Sequence, residues 1–266
     1  ERLVLLKGAA YLEAGLPIGR GRLISDIDIM VPKTRIDLVE KTLNEFGWES
    51  GDIDTYDERY YRQWMHEIPP MRHLARNTSL DVHHTILPPK AVFKPDVELL
   101  WSGCKAIPGR RWVYRLADQD MVLHSAVHLF HDGDLAGGLR DLVDLDSLLR
   151  LFGESSDFWP TLLDRAIELD LIRPCYYALK HCRRILLTPV PAWALERAEV
   201  LGGPHPVFDY GMDALVEAAL EPSRHTVDSL WSRFGRWLLY DRSHYLRMPL
   251  YLLLPHLARK AIKPYS

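Results

Sequence analysis

Hydrophobic and polar positions change rhythm near Leu116. Before it, short apolar runs alternate with helical patches. Leu3 to Leu6 carries no polar residue and predicts a buried strand closed by Lys7-Gly8. Ala9 to Ala14 is rich in helix formers and stops at Gly15, with Pro17 beyond. Gly19-Arg20-Gly21-Arg22 predicts a loop. From Ile24 to Val31 apolar and polar residues alternate until Pro32, which predicts a strand. Thr34 is placed to cap a helix through Glu45, with Gly47 as its stop. Ser50 to Asn77 is polar, aromatic and irregular, and reads as a hairpin or a long loop. Thr78 to Leu87 alternates again and ends at Pro88-Pro89, a further strand.

After Leu116 the period lengthens. Met121–Phe130, Leu139–Leu151, Phe158–Leu169 and Tyr176–Leu187 place apolar residues three and four apart, as amphipathic helices do. Val227 to Ile262 is also mostly helical in pattern. The chain is therefore expected to be α+β: a domain of strands and helices over residues 1–115, then a helical domain over residues 116–266.

Composition narrows the partners. The 266 residues include 33 Lys+Arg and 36 Asp+Glu, a net charge of −3, which argues against an obligate duplex-DNA binder. With 47% hydrophobic and 26% charged residues, wholesale disorder is excluded. Cys104, Cys175 and Cys182 form no CxxC pair and read as buried, inert thiols, which favours a reducing, cytoplasmic setting. The start of the chain has no signal-peptide pattern, but it begins at Glu1 rather than Met, so residues can precede it. The longest apolar stretch, Met248 to Leu257, is too short and proline-interrupted to span a bilayer, so no transmembrane segment is expected.

The chemistry concentrates in acids. Asp26 and Asp28 are two apart on a predicted strand, so they share one face while Ile27 and Ile29 take the other. Paired carboxylates on a rigid strand suit a divalent cation bound together with substrate phosphates; solvent-facing acids on an edge strand are the alternative. Asp52-Ile53-Asp54 has the same spacing but lacks strand alternation and reads as a solvated loop. In Leu80-Asp81-Val82-His83-His84-Thr85-Ile86, Asp81, His83 and Thr85 share one face. If this strand pairs beside the first, Asp81 completes a three-carboxylate cluster of the kind used in two-metal phosphoryl chemistry. The alternative is that Asp81 pairs with Arg72 or Arg76.

In order, Leu6-Lys7-Gly8-Ala9, Ser25-Asp26-Ile27-Asp28-Ile29-Met30-Val31, Leu80-Asp81-Val82-His83, Asp120-Met121-Val122-Leu123-His124 with His128, and Leu139-Arg140-Asp141-Leu142-Val143-Asp144-Leu145 form one series. It resembles the bacterial "uncharacterised nucleotidyltransferase" family of the polymerase-beta-like nucleotidyltransferase superfamily, over roughly residues 3 to 190. The resemblance implies a small mixed sheet carrying the acids, backed by helices, and then a helical domain; residues 1–115 would be the catalytic domain. It implies Mg²⁺-dependent transfer of a nucleotidyl group, foremost AMP from ATP, to an acceptor hydroxyl with release of pyrophosphate.

Two Mg²⁺, with Mn²⁺ as the alternative ion, would be held by Asp26, Asp28 and Asp81, with Asp81 also helping to deprotonate the acceptor. Lys7, Gly8, Ser25, Arg20 and Arg22 are the nucleotide-binding candidates, and His83, His128 and Arg140 the candidate helical-domain contacts. Backbone N–H groups at Gly8, entering a helix, would favour phosphate, and Arg20 and Arg22 are candidate clamps. Ala9 stands where the superfamily has Ser, and sixteen residues separate Ala9 from Asp26, longer than the family's usual interval. The acceptor class left open is a small molecule, a peptide or a protein side chain, with RNA least favoured by the charge; oligomeric state is not legible.

Rival signals remain. His124, His128 and His131 recur on one helix face, and His131-Asp132 is weakly similar to the pair in His-Asp metal-dependent phosphohydrolases. Ser125 after His124 removes the H-E-x-x-H of zinc proteases. A non-catalytic nucleotide- or partner-binding protein is the third reading. Tyr56, Tyr60, Tyr61 and Trp64, with Arg59 and Arg62, could stack on a base or pack under a hairpin. The Leu-rich tail with Arg259, Lys260 and Lys263 is expected to be a core-packing helix rather than a membrane-surface one.

Overall fold

The computed structural model describes residues 2–24, 26–51, 53–131, 135, 137–221 and 229–262. The chain divides into two compact units: residues up to Pro89 together with Pro95–Met121, and Lys90–Lys94 together with the residues from Val122 onward.

The first unit runs β1 (Leu3–Leu5), α1 (Lys7–Glu13), β2 (Asp26–Met30), α2 (Ile36–Glu45), β3 (Trp48–Ser50), α3 (Thr55–Trp64), β4 (Met71–His73), β5 (Ser79–His83), α4 (Val97–Gly103), β6 (Lys105–Ala106) and β7 (Val113–Arg115). The strands form one mixed sheet in the order β3-β4-β5-β2-β1-β7-β6. β2 lies parallel to β5 and β1 parallel to β7, and the other pairs are antiparallel. Val4, Met30 and Val82 on the central strands are fully buried, which anchors the register: a slip by one residue would turn every carboxylate to the opposite face.

Local sequence accounts for most of these elements, and its departures have physical reasons. Thr34 does not cap α2; it lies in a 3-10 turn, Lys33–Arg35, that feeds the helix directly. The stretch expected to be a hairpin or loop contains α3 instead. Asp54 is its N-cap, accepting hydrogen bonds from the Tyr56 and Asp57 backbone N–H groups at 2.9 Å each, so this acid closes a helix end rather than standing in a solvated loop. Its twin Asp52 lies outside the described residues. The β5 strand ends at His83, so Thr85 and Ile86 fall beyond it.

The helical unit opens within α5 (Asp118–Phe130) and continues through α6 (Gly138–Phe152), α7 (Phe158–Glu168), α8 (Ile172–Leu186), α9 (Ala192–Gly202), α10 (Pro206–Leu220), α11 (Leu230–Arg247) and α12 (Leu250–Ile262). Leu142, Leu145 and Leu149 of α6, Leu162 and Leu163 of α7, and Leu179 and Cys182 of α8 are fully buried. Cys175 is also buried, which pushes its thiol up to about 12. Cys104 is only half-buried, its Sγ 3.2 Å from the Leu100 carbonyl. α12 buries Leu253 yet exposes Leu250, Tyr251 and Leu254, so it is only in part the core helix expected of the tail; Lys263 lies outside the described residues. No helix among the described residues is long and apolar enough to cross a membrane.

Candidate active site

The site is built on the two central parallel strands. In their register Asp26 faces Ser79, Asp28 faces Asp81, and Met30 faces His83. Alternation then puts Asp26, Asp28, Asp81 and His83 on one face of the sheet. Asp26 is exposed, Asp81 is half-buried, and Asp28 is buried.

Asp28 is the hub. Its Oδ1 accepts from Lys7 Nζ at 3.0 Å and lies 3.2 Å from His83 Nε2. Burial works to raise the Asp28 carboxyl, but the hydrogen bond with His83 and the Lys7 ammonium outweigh it and hold the group far below the usual carboxylate range. Asp81 has the opposite balance. Burial and the neighbouring Asp28 charge raise its pKa above the ordinary value. The carboxylates of this face are the oxygen donors that a divalent cation with oxygen preference takes.

Lys7 reaches Asp28 from an unusual backbone position. It opens α1 with φ of +44°, in the left-handed region that non-glycine residues rarely adopt. The Leu6 N–H meanwhile bonds the Asp28 carbonyl at 2.9 Å, so strand pairing fixes the point from which the lysine departs. Gly8 follows, and a Cβ there would lie 2.9 Å from Arg22 Nε. The guanidinium of Arg22 thus rests against the start of α1 and over the Tyr11 ring, 5.7 Å from its centroid. Arg20 is exposed in the same loop. Ser25 lies outside the described residues.

Other candidates are placed elsewhere. His83 belongs to the sheet unit, whereas His128 and Arg140 belong to the helical unit. His128 Nε2 is 3.9 Å from Asp141 Oδ2, and Arg140 is exposed. His124 is buried, and His131 is fully buried beside Phe93, with 5.8 Å between ring centroids; Asp132 lies outside the described residues. The α3 aromatics pack largely on one another: Tyr56 and Tyr60 meet Trp64 edge-on at 5.9 and 6.1 Å. Arg62 is engaged by Glu40 at 2.8 Å and by Glu58.

Two residues at the site escape a reading by pattern. His66 and Glu67 leave α3 and pair with the end of β5 through an isolated bridge between Glu67 and His83. Among the described residues, the three-ligand group whose donor atoms lie within 4.8 Å of one another is His66, Glu67 and His83, not the aspartates. Its only sequence signals are the His-Glu dipeptide ahead of Pro69-Pro70 and the His83-His84 step. A pocket of about 150 Å³ opens beside it, lined by Lys33, Arg62, Glu67, Ile68 and His84 among others. Burial, with Lys33 nearby, lowers His84 to about 4, so a neutral ring lines this wall.

Comparison with known proteins adds one finding. A family model described as "Uncharacterised nucleotidyltransferase" matches residues 2–186, from the first strand to the end of α8. No curated protein and no solved structure matches the chain.

Proposed function

The chain belongs to the uncharacterised nucleotidyltransferase family and is a nucleotidyl-transfer enzyme, and from that premise we propose that it moves a nucleoside monophosphate, foremost AMP from ATP, onto an acceptor hydroxyl in a Mg²⁺-dependent reaction. The observation that carries the reading is the β2–β5 register, which sets Asp28 beside Asp81 and keeps Asp26 on the same face. In this reading Asp26, Asp28 and Asp81 hold the divalent ions, which supply charge neutralisation for the triphosphate and the leaving pyrophosphate.

The protein's own part is positioning and proton handling. Lys7 fixes the Asp28 carboxylate. Arg22, held at the start of α1, and Arg20 clamp phosphate oxygens. The acceptor oxygen attacks the α-phosphorus in line; the bond from that phosphorus to the bridging oxygen breaks, and pyrophosphate leaves. Asp81, on the same face beside Asp28, takes the acceptor proton. Residues 1–115 form the catalytic domain, and the helical residues 116–266 contribute to acceptor choice, with a small molecule, peptide or protein side chain favoured over RNA.

The test is incubation with Mg²⁺ and α-labelled nucleoside triphosphates in a host-cell extract. A labelled acceptor and free pyrophosphate are expected, and both should vanish in Asp26→Ala and Asp81→Asn. Labelling that survives both substitutions would remove the aspartates from the chemistry.

A further inference from the structure

The His66–Glu67–His83 group supports a reading of its own. Its donor set, two imidazoles and one carboxylate, suits Zn²⁺ and neighbouring transition metals better than Mg²⁺, which prefers oxygen. The three residues are held on rigid backbone: the Ile68 N–H bonds the Val82 carbonyl at 3.0 Å, and the His84 N–H bonds the His66 carbonyl at 2.8 Å. This antiparallel pairing brings the two imidazoles to 5.2 Å between centroids.

His83 supplies the independent observation. It is only 4% exposed, and its Nδ1 is buried without a hydrogen bond. That nitrogen points to Glu67 Oε2, 3.4 Å away, inside the three-residue group. The opposite nitrogen, Nε2, lies on Asp28 Oδ1 at 3.2 Å. A histidine that ligates a metal through one nitrogen and donates the other N–H to a carboxylate is a recurrent arrangement, because the carboxylate fixes the tautomer and strengthens the ligand.

We propose that His66, Glu67 and His83 form a binding site for one transition-metal ion of the Zn²⁺ class, and that this ion sets the orientation of Asp28 through His83. The metal site itself is independent of the nucleotidyl-transfer reading. Only its consequence for catalysis rests on that reading, because an ion at Nδ1 leaves the proton on Nε2, where it is donated to Asp28.

The experiment is a Co²⁺ titration of the full chain after chelator treatment, with excess Mg²⁺ present to occupy oxygen-rich sites, read by visible d–d absorption. One equivalent should bind. His66→Gln and Glu67→Gln should each weaken binding by at least about tenfold, and Asp28→Asn should weaken it by about tenfold through the lost partner. Asp26→Asn and Asp81→Asn should leave it unchanged. His66 and Glu67 are only half-buried, so their variants should keep the fold, and Zn²⁺ should raise the melting temperature in the wild type alone. The site is refuted if the wild type shows no d–d band, if His66→Gln and Glu67→Gln bind like the wild type, or if Asp81→Asn abolishes binding. Unchanged affinity in Asp28→Asn would refute the link to Asp28. No turnover is measured, so failure to bind is distinct from failure to transfer nucleotide.

Discussion

Lys7 joins a strained backbone to a buried ion pair, and the two contributions can be separated. Its ammonium sits 3.0 Å from a carboxylate that is 6% exposed, while its φ of +44° costs a non-glycine residue roughly 1 kcal/mol or more. Lys7→Ala loses the pair and keeps the strain; Lys7→Gly loses the pair and relieves it. Both should be less stable than wild type, with the glycine variant about 1 kcal/mol ahead of the alanine variant in urea unfolding. The reverse order would show that the backbone is unstrained there. Asp81 gives a second contrast. Its raised pKa means that folding disfavours its charged form at neutral pH. Asp81→Asn should therefore be at least as stable as wild type without metal, although activity is lost. A substantial drop in melting temperature would mean that the carboxylate is structural.

At the scale of elements, the carboxylate strands were legible and the histidine site was not. Alternation from Ile24 and from Thr78, each stopped by proline, gave away β2 and β5 and the side on which Asp26, Asp28 and Asp81 stand. The pairing of those strands is a long-range event that no local pattern encodes. α3 was missed because its aromatic and charged residues mask helical periodicity, and its one clear signal, the Asp54 cap, stood inside an acidic stretch. His66 and Glu67 were invisible for a related reason: their neighbour is β5, and the bridge to His83 exists only in the folded chain.

The loop after α1 offers a test by glycine. A Cβ on Gly19 would lie 2.8 Å from the backbone of Leu12, which cannot yield, whereas a Cβ on Gly8 meets only the flexible end of Arg22. Gly19→Ala should cost about 1–3 kcal/mol in unfolding. Gly8→Ala should stay folded but bind triphosphate more weakly, because Arg22 is displaced. Equal stability for both variants would contradict this packing.

At the scale of the whole molecule, the two units have different chemistry at their centres. The sheet unit buries an ionised carboxylate, and the helical unit buries a neutral histidine. His181 of α8 is fully buried, stacked on Phe130 at 5.5 Å between ring centroids, with both nitrogens free of hydrogen bonds. Burial lowers it to about 4; Asp213, 3.7 Å away, pulls upward, and Lys180 and Arg184 push down.

Because its folded pKa lies below the unfolded value of about 6.5, the unfolded chain binds the extra proton first. The stability this residue contributes is therefore full above about pH 6.5 and falls as the pH drops below it. His181→Phe should flatten that part of the melting-temperature profile; an unchanged acid slope would assign it elsewhere. The net charge of −3 hides the gathering of Asp26, Asp28 and Asp81 on one face of one sheet. The matched region ends with α8, so α9 to α12 lie beyond it.

The central claim is that this carboxylate face transfers a nucleotidyl group rather than a terminal phosphate. The most direct measurement compares α-labelled with γ-labelled triphosphate in parallel reactions with Mg²⁺ and extract. α-Label should become fixed to an acceptor while γ-label leaves only as pyrophosphate, and Asp26→Ala should abolish both. Label fixed from the γ-position, or γ-label released as orthophosphate with nothing fixed from the α-position, would contradict it.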